Sequence, residues 1–311
     1  MTMAPQLTTR EVELHSNGRV RDRLPISVVV LTFNEETNIE ACLQSVAAWA
    51  DEIFVVDSGS QDRTVEIARR YTDNIAVHAF ESYSSQRNWS LDHLPLKNEW
   101  VFNIDADERV TPELAATLRN LFGSGSPKDV EGFMISRRTV FMGRAIMHGG
   151  HYPAYHLRLF RRGKGRCEDR LYDQHFIVDG PVQKIPGDLI DVITSDLTVW
   201  LVRHARWGAA EALEMSGTGP SEGNRMEGRA AGTPIERRRW LRTSVYGKAP
   251  LFLRAFAYFF YRYFVRLGFL DGREGLIFHF LQGCFFRFYV DAKIYELKKQ
   301  AKSKGSQIEL L

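Results

Sequence analysis

The run Trp100-Val101-Phe102-Asn103-Ile104 ends in three acids, Asp105, Asp107 and Glu108. An apolar run of this length is the pattern of a buried strand. Side chains two positions apart in a strand point to the same side, so Asp105 and Asp107 leave the strand end together. Two carboxylates that close repel unless a cation lies between them. A hard divalent cation with oxygen ligands, Mg2+ or Mn2+, meets that requirement and keeps positions open for a phosphate-bearing molecule. For an isolated Asp-X-Asp a solvated acidic turn is the simpler alternative, so other segments must lead to the same place.

They do. Ile26-Ser-Val-Val-Val-Leu31 is a β-branched run of the kind covered on both faces of a sheet. Ile39, Leu43 and Val46 then recur at helical spacing. Glu52–Asp57 is a second strand, followed by the small-residue turn Ser58-Gly59-Ser60 and a helix carrying Val65, Ala68 and Tyr71. A third strand is expected over Ile75–Ala79 and a short helix over Ser85–Leu91. Thr111-Pro112-Glu113 opens a helix with an N-cap, a first-turn proline and an acid at the positive helix end. Alternating strands and helices predict a mostly parallel sheet, with ligands bound beyond the carboxyl ends of its strands. Thr32–Glu35, Asp57–Ser60 and Asp105–Asp107 each follow a strand and should crowd one edge. Neither GxGxxG after the first strand nor GxxxxGK[ST] is present, which argues against a dinucleotide fold and excludes a P-loop.

Ser27–Glu35, Ile53–Thr64 and Ile104–Pro112 together resemble the nucleotide-sugar domain of family 2 glycosyltransferases, in the bacterial branch that builds lipopolysaccharide cores and exopolysaccharides. The resemblance implies an α/β GT-A fold and transfer of a sugar, with inversion, from a nucleoside-diphosphate donor such as a UDP-hexose. It implies that Thr32, Phe33 and Glu35 line the base and ribose site and that Asp57 receives the base. Arg87 would lie near the nucleotide, Asp105 near the ribose and metal, and Asp107 on the metal. Glu108 would support the site or begin a helix. Charge gathers on the diphosphate as it leaves, and a cation there would stabilise it.

An acceptor hydroxyl needs a base. Relatives often carry a His-Glu pair where this chain has Asp173-Gln174, and a glutamine cannot serve. Asp173 is the nearest remaining carboxylate, with Asp169 and Glu168 as substitutes. Otherwise Glu168 and Asp169 would pair with Arg166 and Arg170 at the surface. His148-Gly-Gly-His151 is expected to be an acceptor loop or packing element, and Leu157–Arg162 a strand with a basic end.

The chain has 311 residues, 44% hydrophobic and 25% charged, with net charge +3, which suits one large domain with an appendage. Residues 1–24 are expected to be a flexible lead-in without a signal-peptide core, residues 25–215 the catalytic domain and residues 216–235 a Gly-rich linker. Residues 236–311 would then be an amphipathic helical region. Three scattered cysteines fit reduced thiols in the cytoplasm. Between Glu236 and Arg266 one acid accompanies eight basic residues interleaved with aromatics. That composition suits peripheral contact with an anionic membrane, at its cytoplasmic face, beside a glycan or lipid-linked acceptor. No motif supports nucleic acid as a partner. Two other functions fit the residues: transfer to polyprenyl phosphate, which needs little base, and a silent nucleotide-sugar-binding subunit of a glycan-assembly complex.

Overall fold

The computed structural model describes residues 23–123, 125–217 and 223–308, with side chains to Lys302. Residues 1–22 of the expected lead-in and 218–222 of the expected linker lie outside the described residues.

The strands are β1 (Leu24–Thr32), β2 (Ala50–Asp57), β3 (Ile75–Val77), β4 (Trp100–Asp105), β5 (Glu108–Val110), β6 (Gly132–Phe141), β7 (Arg144–Ala145), β8 (Ala154–Arg161), β9 (Gly165–Cys167), β10 (Phe176–Val178) and β11 (Val182–Ile193). The helices are α1 (Ile39–Ala47), α2 (Thr64–Ala68), α3 (Tyr83–His93), α4 (Pro112–Phe122), α5 (Leu197–Met215), α6 (Pro234–Ser244), α7 (Leu253–Phe260), α8 (Gly272–His279) and α9 (Phe286–Ile308). The main sheet runs β3-β2-β1-β4-β8-β6-β11-β5, with β7 paired to β6. β3, β2, β1 and β4 are mutually parallel, as are β6 and β11, while β8 and β5 run antiparallel to their neighbours. This is the expected mostly parallel sheet with flanking helices and a helical C-terminal segment.

The register explains why three separate loops meet. Thr32 pairs with Asp57, and Leu31 pairs with Asp105, so β1, β2 and β4 end level. Both faces are covered, which is why β1 is apolar without alternation. Ile26, Val28 and Val30 face Ile39, Leu43, Leu114 and Leu118, while Val29, Phe54 and Val101 face Leu96 and Trp89. Thr111 caps α4 as expected, its Oγ1 accepting from Leu114 N at 3.2 Å.

The hairpin β9–β10 lies against α3. Asn88 exchanges two hydrogen bonds with Cys167, and Ser84 Oγ donates to Glu168 O. Residues 223–232 form no helix or strand but are anchored: Met226 N donates to Glu168, and Met226 packs beside Ile235. α6 begins at Pro234 behind a Thr233/Glu236 capping box. α5 and α9 pack through Ala212, Phe286, Val290 and Ile294, and a Cβ at Gly208 would come within 2.7 Å of Tyr289. Among the described residues no helix is long and apolar enough to cross a membrane.

Candidate active site

β4 delivers Asp105 and Asp107 to the level edge of the sheet, and two guanidiniums sort them. Arg87 of α3 donates to both Asp105 oxygens at 3.1 and 3.2 Å, and Arg158 of β8 donates to Oδ2 at 3.0 Å. Burial alone would raise the Asp105 carboxyl, but Arg87 and Arg158 outweigh it and hold it well below the usual range. Asp107 has no such partner. Burial, then the carboxylates of Asp191, Asp105, Glu108 and Glu35, push it well above the usual range. Glu108 turns inward, where Arg158 donates to it at 2.6 Å and it accepts from Asp105 N at 3.0 Å.

Asp105 is engaged by two guanidiniums, and Asp107 has no cationic hydrogen-bond or ion-pair partner among the described residues. Among the described residues no group of three or more His, Cys, Asp or Glu side chains is placed to hold a metal ion. One carboxylate fits a cation whose remaining ligands are phosphate oxygens and water, as Mg2+ commonly takes.

The loop after β1 supplies a hydroxyl, a ring and an acid. Thr32 Oγ1 is buried and has no hydrogen-bond partner, and the Phe33 ring is 55% exposed and open to a ligand. Glu35 accepts from Asn38 at 2.7 Å, and burial raises its carboxyl, partly offset by that bond. Asp57 is buried and closes its own turn, accepting from Gly59 N at 3.0 Å and Ser60 N at 2.9 Å. Gly59 sits at φ +89°, a conformation glycine adopts without strain.

The expected base is not free. Asp173 meets Arg242 at 3.0 Å and His175 at 3.3 Å. Burial opposes ionisation there, but His175 and Arg242 hold the carboxyl well below its ordinary value. A carboxylate so stabilised accepts a proton poorly. Asp169 accepts from Asn224 N at 3.3 Å and anchors the segment after α5. Nor is Glu168 a surface acid: it is fully buried and gripped by Arg239, while Arg166 pairs with Asp92 and Arg170 with Glu214. Asp173 is thus engaged in ion pairs and Asp169 in a loop contact.

Sequence reasoning missed Asp191. It stands on β11 opposite Glu108 of β5, beside Asp107, and its Oδ2 accepts from Thr139 at 3.1 Å. Asp191 lies in the apolar run Leu189-Ile190-Asp191-Val192-Ile193, and an acid inside a strand was the available signal. Arg158 was missed likewise, an arginine between Leu157 and Leu159. The two loop histidines diverge, His148 to Asp271 at 2.7 Å and His151 to Thr139 at 3.0 Å, and form no joint metal site.

Residues 27–169 match the model of glycosyl transferase family 2. The lipopolysaccharide core biosynthesis glycosyltransferase LpsC of Rhizobium meliloti (strain 1021) is 32% identical over 151 residues, 47% of this chain and 54% of that protein. A glycosyltransferase of Rickettsia bellii (strain RML369-C) is 38% identical over 99 residues, 32% of this chain and 33% of its own. The chain thus spans about half or less of the curated relatives it matches. Among solved structures, the mannosyltransferase PcManGT of Pyrobaculum calidifontis, in complex with GDP-Man and Mn2+, covers 91% of this chain and 90% of its own at 16% identity and a TM-score of 0.46. The match through residues 27–169 takes in Thr32, Asp57, Arg87, Asp105 and Asp107, and this part of the chain is a domain of glycosyl transferase family 2.

Proposed function

We propose that the chain is an inverting glycosyltransferase that moves a sugar from a nucleoside-diphosphate donor, a UDP-hexose, to a lipid-linked or lipopolysaccharide-type acceptor. One observation carries the reading. At the edge where β1, β2 and β4 end together, Asp105 is neutralised by two arginines and Asp107 by none. A buried carboxylate without a cation, set among other acids, suits a divalent metal arriving with a diphosphate.

In this reading Phe33 offers its exposed ring to the base, Thr32 its unpaired hydroxyl, and Asp57 its remaining acceptor capacity. Arg87 holds Asp105 ionised and turned toward the ribose. Mg2+ or Mn2+, held by Asp107, would neutralise charge on the leaving diphosphate. Asp191 is the base: its Oδ2 is fixed by Thr139, and it takes the proton of the acceptor hydroxyl as that oxygen bonds to the anomeric carbon. The sugar–phosphate bond breaks on the opposite face, which inverts the centre.

The C-terminal helices suit an anionic membrane at its cytoplasmic face. Phe256, Phe260, Phe264, Leu270, Phe280 and Phe288 are all exposed, and so are Arg237, Lys248, Arg266 and Arg273. Exposed aromatic and aliphatic side chains accompanied by basic ones suit helices lying in the headgroup layer. Three of the expected membrane-facing arginines do not contribute, because Arg239, Arg254 and Arg262 are buried against Glu168, Asp291 and the Gly149 carbonyl. Transfer to polyprenyl phosphate is the second reading, favoured by the commitment of Asp173 to Arg242.

The test is nucleotide release from UDP-, GDP- and dTDP-sugars, with Mg2+, Mn2+ or EDTA, for wild type and Asp107→Ala. Metal-dependent release from one donor, lost in the variant, supports the assignment. No release from any donor, with membrane lipid extract present, would leave a silent binding subunit.

A further inference from the structure

A second cluster of charge lies on the sheet face that carries Asp191. Thr139 and Arg137 of β6 both approach Asp191, and His156 and Arg158 lie on β8, the antiparallel neighbour of β6. α6 packs on β8 and brings Arg238, and α7 and α9 lead to Arg262 and Arg287 nearby. Most of these cations have partners. Arg158 is held by Asp105 and Glu108, Arg287 by Glu211, and Arg262 by the Gly149 carbonyl.

Two buried groups are not satisfied, and a third group, a cation, lies exposed near them. Arg137 Nε is ion-paired with Asp191 at 3.7 Å, outside hydrogen-bond reach, and is buried without a hydrogen-bond partner. His156 Nε2 is also buried without a partner. Arg238 of α6 is exposed to solvent and has neither a hydrogen bond nor an ion pair among the described residues. Buried donors without acceptors are costly. Burial, then Arg137, His175, Arg158 and Arg238, push the His156 imidazole well below its ordinary value. Burial, then Arg262, Arg137, His279 and Arg238, do the same to His151. Positive charge gathered this way is relieved by an anion.

We propose that Arg137, His156 and Arg238 form a subsite for a phosphate group carried by the acceptor, on the far side of Asp191 from the donor. Guanidinium forks match phosphate oxygens in geometry as well as charge. The inference rests on the transferase reading, which makes Asp191 the point where acceptor and donor meet. Two sources share this chemistry, a lipid phosphate and a soluble phosphomonoester.

The experiment uses the full chain as wild type, Arg238→Gln, Arg238→Lys and Asp107→Asn. Inorganic phosphate and glucose 6-phosphate are titrated by calorimetry, and vesicles of phosphatidic acid or phosphatidylcholine are tested by co-sedimentation. Wild type should bind a phosphate probe, Arg238→Gln at least about tenfold more weakly, and Arg238→Lys in between. Asp107→Asn should lose donor turnover yet keep phosphate binding; in wild type, an absence of donor turnover with phosphate binding intact counts against the transferase reading alone. A preference for phosphatidic acid that disappears in Arg238→Gln names the lipid source; soluble binding without vesicle preference names the other. Equal binding by wild type and Arg238→Gln, displacement of the probe by the nucleoside diphosphate of the donor, or no binding of any probe would overturn the subsite.

Discussion

Arg239 of α6 grips Glu168 of the β9–β10 hairpin through two hydrogen bonds, of 2.6 and 2.7 Å, both buried. Glu168 also accepts from His175 N and Met226 N, so one carboxylate ties the hairpin, the segment after α5 and α6 together. Removing one partner of a buried pair leaves the other charge unmatched. Glu168→Ala should cost about 3–5 kcal/mol in urea unfolding. A loss under 1 kcal/mol would mean the pair is solvated in solution.

Asp105 and Asp107 should respond oppositely to loss of charge. Asp107→Asn removes repulsion among acids, so it should leave the melting temperature unchanged or raise it, while donor turnover falls about 10²–10³-fold. Asp105→Asn strands Arg87 and Arg158 and should lower the melting temperature. Thermal melts beside turnover measurements decide, and identical behaviour of the two variants would contradict the division of roles.

Asp191→Asn should reduce kcat about 10²–10⁴-fold, the range for loss of a positioned base. Asp173→Asn should lower stability by weakening its links to Arg242 and His175, with kcat in the wild-type range. Steady-state kinetics on both variants separates them, and a kcat collapse in Asp173→Asn alone would restore Asp173 as the base.

His204 and His279, together with His151 and His156, should set the acid limit of stability. Burial lowers His204 and His279 to about 4 from 6.5, with His204 partly supported by its bond to the Trp200 carbonyl and His279 lowered further by Arg262. The folded state binds these protons less readily than the unfolded one, so stability is retained above 6.5 and lost as pH falls toward 4. Each of these two contributes about 3 kcal/mol across that window. Denaturation midpoints between pH 7 and 4 should fall less steeply in His204→Gln with His279→Gln, His151 and His156 supplying the remainder; an unchanged profile would place the acid sensitivity elsewhere.

Phe260 and Phe264 should anchor the chain to lipid. Replacing both with Asp should abolish co-sedimentation with phosphatidylglycerol vesicles while circular dichroism stays constant. Retained sedimentation, or a wild-type dimer that the variant breaks, would assign the face to protein instead.

The strand endings were legible from local pattern alone. The β-branched run of β1, the turn Ser58-Gly59-Ser60 and the cluster Asp105–Glu108 each carry their own signal, because strand burial and turn chemistry depend on neighbours in sequence. Their meeting followed from the rule that parallel strands end together. The sequence could not say which charges would pair. Glu168 looked like a surface partner of Arg166 and Arg170, yet Arg239, 71 residues away, takes it into the core. Asp173 looked like a free base until α6 brought Arg242, and Asp191 gained its place only when β11 paired with β5 beside Asp107. Ion pairing and base strength depend on distance and desolvation, and those are fixed by which elements pack together rather than by spacing along the chain.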